Sequence, residues 1–292
     1  MQPELIADYA CRTGESPIWH PDEQCLYWLD VPRGRIYRYD PATGEHGLAY
    51  ENPDEIVGGY TIQADGALAL MLPHGAVKAW SGGEPVTLIE EIPAERDTRL
   101  KDCIADPEGR VYAGTVSTKE KPGRLYRLDP DGSTHLLLKG IQGSNGLGFT
   151  PDCEGLYYTD SVAGEIYYFD YDRETGTISN QRVWATVPSR EGVPDGMTVD
   201  ADGYVWSARW GGSCVVRYAP NGTEAMRIAF PAKKVSCCIF GGADYTDLYV
   251  TTAGGQNKDE EGSGAGALFR VSLAEEGIRG RPAYRSRIGM ER

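Results

Sequence analysis

No run of this sequence approaches the roughly 20 apolar residues that a membrane span needs. Its opening, MQPELIADYACRTGESP, lacks the basic segment followed by an apolar core that marks a secretory leader. The expectation is a soluble, cytoplasmic protein with no membrane partner. Positive charge is also in deficit: 29 Lys and Arg against 43 Asp and Glu leave a net charge of −14, which repels phosphate backbones and anionic lipid heads. Nucleic acid is therefore not an expected partner. The seven cysteines (11, 25, 103, 153, 214, 237 and 238) are odd in number and lack metal-type C-x-x-C spacing. They read as small buried hydrophobes in a reducing compartment. Four scattered histidines (20, 46, 74, 135) and the absence of a G-x-S-x-G elbow give a serine hydrolase little support.

What the sequence has is repetition. The stretch from Gly143 to Gly176, GSNGLGFTPDCEGLYYTDSVAGEIYYFDYDRETG, alternates aromatic and β-branched runs with Gly, Pro and Asp clusters, the signature of short strands and hairpins. Nothing in it has the 3.6-residue period of a helix. Five further units resemble it, and the strand after each first turn starts at Leu26, Leu68, Val111, Leu156, Val205 and Leu248. The spacings are 42, 43, 45, 49 and 43 residues. A period of this length built from strands indicates a β-propeller, here all-β with six four-stranded antiparallel blades. A β-sandwich explains neither the fixed period nor the repeated turns. Segments between units, such as HGLAYE (46–51) and PVTLIEE (85–91), supply the fourth strands. Residues 1–292 are expected to form one domain, its ring closed by pairing of Glu4 to Cys11 with the C-terminal tail PAYRSRI. The acidic stretch QNKDEEGSGAG (256–266) reads as a solvated loop.

One register position of the repeat carries chemistry. Counting back eight residues from the glycine that ends the first turn, or seven from the turn Asp where the turn is longer, gives Glu15, Gly58, Lys101, Asn145 and Asp195, with Ser236 the nearest match in the sixth unit. If each begins the innermost strand of its blade, all six face one mouth of the channel. Glu15, Asn145 and Asp195 are hard oxygen ligands suited to Ca²⁺, Mg²⁺ or Mn²⁺ and, with fewer ligands, to Zn²⁺ or Fe²⁺. The same residues also serve as ordinary turn formers that bind channel water.

The strings GESPIW, SNGLGFTPD, LYYTDS, PDGMTVDADGYVW, ARWGGSCVVRYAPNG and FGGADYTDLYVTTAGG together resemble the regucalcin/gluconolactonase family, from about Cys11 to Leu273. The resemblance implies a six-bladed propeller with one divalent metal ion, Ca²⁺ foremost, held by Glu15, Asn145 and Asp195. It also implies hydrolysis of a small-molecule sugar lactone, with the metal as Lewis acid and Asp195 as general base. The family's R-x-N-D substrate motif reads Arg99-Leu100-Lys101-Asp102 here. Arg99 is thus an implied substrate contact, Lys101 stands where the family has Asn, and Glu120 is the nearest candidate for a further contact. An ammonium at the ring repels a divalent cation; it either reaches toward substrate, lowers metal affinity, works as a base with depressed pKa, or pairs with Asp102 in solvent. His74, Tyr60 and Trp210 are candidates for the pocket wall or for blade packing. The second functional reading is a non-catalytic, regucalcin-like metal-binding propeller that recognises a small molecule.

Overall fold

The computed structural model of the chain describes residues 1–290. Among these residues the strands assemble into six four-stranded antiparallel sheets, set as blades in a ring to give the β-propeller that the period predicts. Blade 4 shows how the sequence specifies a blade. Its strands, Ser144–Phe149, Gly155–Asp160, Glu165–Asp172 and Thr177–Thr186, are separated by residues in left-handed backbone, Cys153, Gly164 and Gly176, which reverse the chain at low steric cost where glycine supplies them. The two inner strands are buried at every residue, whereas the outermost is mostly exposed. An inner strand is covered on both faces by neighbouring blades and so reads as a near-continuous apolar run, while only outer strands alternate.

The other blades span residues 14–51, 59–89, 100–141, 193–229 and 235–272. Around the channel each innermost strand touches those of both neighbours. Glycines permit the closest of these contacts: a Cβ on Gly146 would lie 2.5 Å from the Met197 nitrogen, and one on Gly196 would lie 2.3 Å from Cys237 Sγ. All seven cysteines are unpaired.

Blade 6 takes its outermost strand from the N-terminal segment Glu4–Asp8, antiparallel to Ala267–Ser272. The pairing partner is therefore GALFRVSL, whose edge is free to accept it, and not the tail PAYRSRI. That tail instead forms a strap over the far face of the ring. Its Gly280 nitrogen donates to Tyr245 O in blade 6, and Arg279 O accepts from Ala201 in blade 5. In blade 4, Arg281 donates to Pro151 O and Tyr284 shares a hydrogen bond with Cys153. Arg285 pairs with Asp22 of blade 1 at 2.7 Å. The Ser286 nitrogen donates to Ile62 O of blade 2 and the Arg287 nitrogen to Gly109 O of blade 3, so every blade is tied. The acidic stretch joins Asp247–Thr252 to Ala267–Ser272 in blade 6 and is largely solvated over residues 256–263, as expected, though not wholly irregular. It winds into a 3₁₀ turn (Gly255–Asn257) and one helical turn (Lys258–Glu261), too short to show a helical period, and Lys234 holds Glu261 at 2.6 Å.

Candidate functional site

Five of the six innermost strands carry a register shift at the same level. It falls between Glu15 and Ile18, Lys101 and Cys103, Ser144 and Leu147, Pro194 and Met197, and Val235 and Cys237. An inserted residue bends a strand and re-aims its side chains, and in blade 1 the bulge places Ser16 in left-handed backbone, φ 46°. Blade 2 has no shift and presents only Gly58, which has no side chain. At this level Glu15, Lys101, Asn145 and Asp195 line one cavity of about 300 Å³, joined by Arg99, Asp102, Ser161 and Trp210.

The carboxylates are deeply set: Glu15, Asp195 and Asp102 are 6%, 5% and 8% exposed. Burial pushes the Glu15 carboxyl well above the usual range, and the charges of Asp195 and Asp102 add to the rise against the pull of Lys101. Burial likewise raises Asp195 to about 8, with Lys101 opposing and Asp102 reinforcing. Asp102 is raised by burial despite Lys101, its own backbone N–H and Arg99. Arg99 is lowered by burial, against the charges of Asp102 and Glu15. The site thus gathers three buried carboxyl groups beside two cationic side chains, and without a further cation burial favours their protonated forms.

Asn145 is oriented by its neighbours. Its Nδ2 donates to Ser161 Oγ at 2.6 Å, and Ser161 Oγ donates to Pro194 O at 2.6 Å. The amide oxygen is left to accept a hydrogen bond from Lys101 Nζ at 2.8 Å. Two carboxylates and an amide oxygen are hard donors that suit a divalent cation. Among the described residues no group of three or more His, Cys, Asp or Glu side chains is gathered as a metal cluster, so such an ion would depend on the Asn145 oxygen.

The remaining candidates divide. Trp210 lines the cavity, with Lys234 Nζ 5.2 Å from its ring. Glu120 is exposed and lies outside the lining. His74 is exposed on a turn of blade 2, and Tyr60 is buried deeper in the channel. Ser236 turns away, donating to Gly14 O at 2.6 Å. The next residue, Cys237, lines the channel next to this cavity, its thiol pushed well up by burial and then by the charge of Glu15, with smaller contributions from Cys238, Asp102 and Asp195. Ser161 and Cys237 were not singled out by the sequence pattern. The signal for Ser161 is its place directly after Asp160, at the end of the strand beside Asn145.

A family model described as SMP-30/Gluconolactonase/LRE-like region matches residues 13–254. The chain belongs to this family. Among curated relatives, Pentonolactonase XacC of Haloferax volcanii is 43% identical, covering 97% of each chain. Regucalcin of Danio rerio is 34% identical over 96% of this chain and 97% of its own. Among solved structures, this family member superposes on a luciferin-regenerating enzyme with a TM-score of 0.87 at 27% identity, covering 97% and 98% of the two chains. It shares its fold with the calcium-binding protein regucalcin from Agrobacterium tumefaciens, with a TM-score of 0.86 at 21% identity over 97% and 96%. No helix among the described residues is long and apolar enough to cross a membrane.

Proposed function

We propose that this protein hydrolyses a sugar lactone with the help of one divalent metal ion, held by Glu15, Asn145 and Asp195. The observation that carries the reading is the convergence of two buried carboxylates and one oriented amide oxygen, from three blades, on a cavity that also holds Arg99 and Lys101. The 43% identity to a pentonolactonase over nearly the whole chain supports an aldonolactone as substrate, and Ca²⁺ is the first candidate ion because a fold relative is described as calcium-binding.

When bound, the ion supplies Lewis-acid stabilisation of the negative charge that develops on the lactone carbonyl oxygen. The chain's residues do the rest. A water oxygen attacks the carbonyl carbon while Asp195 takes its proton. The ring C–O bond then breaks, its oxygen takes back the proton that Asp195 removed from the water, and a hydroxy acid results with Asp195 again ionised. Burial raises the Asp195 carboxyl in the ion-free site, and a bound cation would draw it down again, so the two together set its strength as a base. Arg99, at the cavity wall, offers N–H donors to the hydroxyls of a polyol ring. Walls that bury the three carboxylates limit bulk water and strengthen each electrostatic contact.

The test is hydrolysis of a panel of pentono- and hexonolactones, followed with a pH indicator after EDTA treatment and after adding back single ions. Turnover restored by one ion, and reduced by roughly 10²–10⁴-fold in Asp195→Asn, is the expected outcome. Tight ion binding with no turnover on any lactone would replace this reading with that of a metal-binding propeller.

A further inference from the structure

Lys101 donates a hydrogen bond to the one amide oxygen on which an ion at this site would depend. We propose that Lys101 and a divalent cation compete for Asn145 Oδ1, so that the ammonium is the tethered cation of the ion-free site and withdraws when an ion binds. This inference rests on the metal-site reading above and concerns what sets the affinity of that site.

Asn145 is not free to offer its oxygen elsewhere. Its nitrogen is committed to Ser161, which is itself committed to the Pro194 carbonyl, so the oxygen keeps one direction, into the cavity. The ammonium is placed by that oxygen rather than by an ion pair. Among the described residues none of the carboxylates of Glu15, Asp102 or Asp195 lies within 4.0 Å of Lys101 Nζ, although its charge acts on all three. It therefore sits among the carboxylates as a shared counter-ion, the role a metal would fill. A carbonyl oxygen has lone pairs for two donors, yet two cations on it would stand side by side in a cavity where repulsion is weakly screened. One oxygen then holds one cation at a time. Because the competitor is covalently attached, its effective concentration is high at every solution condition, and an ion must displace it before binding.

The test is calorimetric titration of the EDTA-stripped, full-length protein with Ca²⁺ and, separately, Mn²⁺. Wild type is compared with Lys101→Met, which keeps an unbranched side chain one atom shorter and removes the charge, and with Lys101→Arg, which keeps the charge. Lys101→Met is expected to bind at least tenfold more tightly than wild type, and Lys101→Arg no more tightly. Lys101→Asn serves as the neutral variant should Lys101→Met fail to fold. Equal or weaker affinity in the neutral variants, with wild-type binding intact, would overturn the competition and leave the metal site standing. No ion bound by any form would overturn both. Equal tightening in Lys101→Arg would show that bulk rather than charge is the obstacle and would also overturn the proposal.

Discussion

At the scale of single residues, the site is a problem in like charges. Three carboxylates are buried around one cavity and raised by that burial, so in the absence of an ion the folded protein retains protons that the unfolded chain gives up. For Asp195 the folded value is about 8, against an ordinary value of about 3.9. Between those limits the folded state binds more protons than the unfolded one, so stability falls as pH rises through that window. The melting temperature of EDTA-treated protein is therefore expected to decline from about pH 5 to about pH 8, and Asp195→Asn to flatten that slope. A slope of the opposite sign in differential scanning calorimetry would contradict the burial argument. Ser161 offers a second check. Removing its hydroxyl frees the Asn145 amide to rotate, and outer-shell losses of this kind weaken metal binding or activity by roughly 10–100-fold. Ser161→Ala should show that loss in ion titration while melting close to wild type.

At the scale of strands, the bulge is the device that makes a site out of a blade edge. Five blades insert a residue at the same height, and Glu15, Lys101, Asn145 and Asp195 emerge there. Adjacent inner strands can approach because glycine lines their contacts. Gly146 packs against the Asp195 carbonyl and the Met197 nitrogen, where a Cβ would stand 2.8 and 2.5 Å away. Gly146→Ala is expected to cost about 1–3 kcal/mol by overpacking and to lower activity further by displacing Asp195; denaturant unfolding and lactone assays separate the two. The bulge also explains what the sequence disclosed. Glu15, Lys101, Asn145 and Asp195 were found by counting because the bulge keeps a fixed distance from the first turn in those blades. In blade 6 the count gives no clean match; Ser236, taken as the nearest, donates to Gly14 O instead. A one-residue change in register moves a side chain to the other face, and no residue pattern in SCCIFGG marks where the shift falls. Glu120 lies outside the cavity lining for another reason: its segment is a loop, and loop length alone does not fix where a side chain ends up.

At the scale of the whole molecule, the period and the turn residues disclosed six blades because each blade repeats the same punctuation. They did not disclose how the ring is fastened, since a strap has no period. The N-terminal strand is held in blade 6 by its ladder with Ala267–Ser272, by Arg270 and Glu4 at 2.6 Å, and by a pair between Lys258 and Asp8. Deleting residues 1–9 would bare the edge of Ala267–Ser272, and an unpaired edge invites pairing with another chain. The expected result is a lower melting temperature and the appearance of oligomers in size-exclusion chromatography with light scattering. A truncated form that stays monomeric and melts like the full chain would refute that account of closure.

The strap has a kinetic consequence. Residues 281–284 border the channel at the end away from Glu15, Asn145 and Asp195, together with residues of all six inner strands, and the proposed reaction uses the other mouth. Under the proposed reaction the incoming lactone and the departing hydroxy acid share that entrance, so a turnover ends only when the product has vacated it. The acid should then behave as a competitive inhibitor, raising KM without changing kcat. As an anion leaving a vestibule lined with carboxylates, it should do so only weakly.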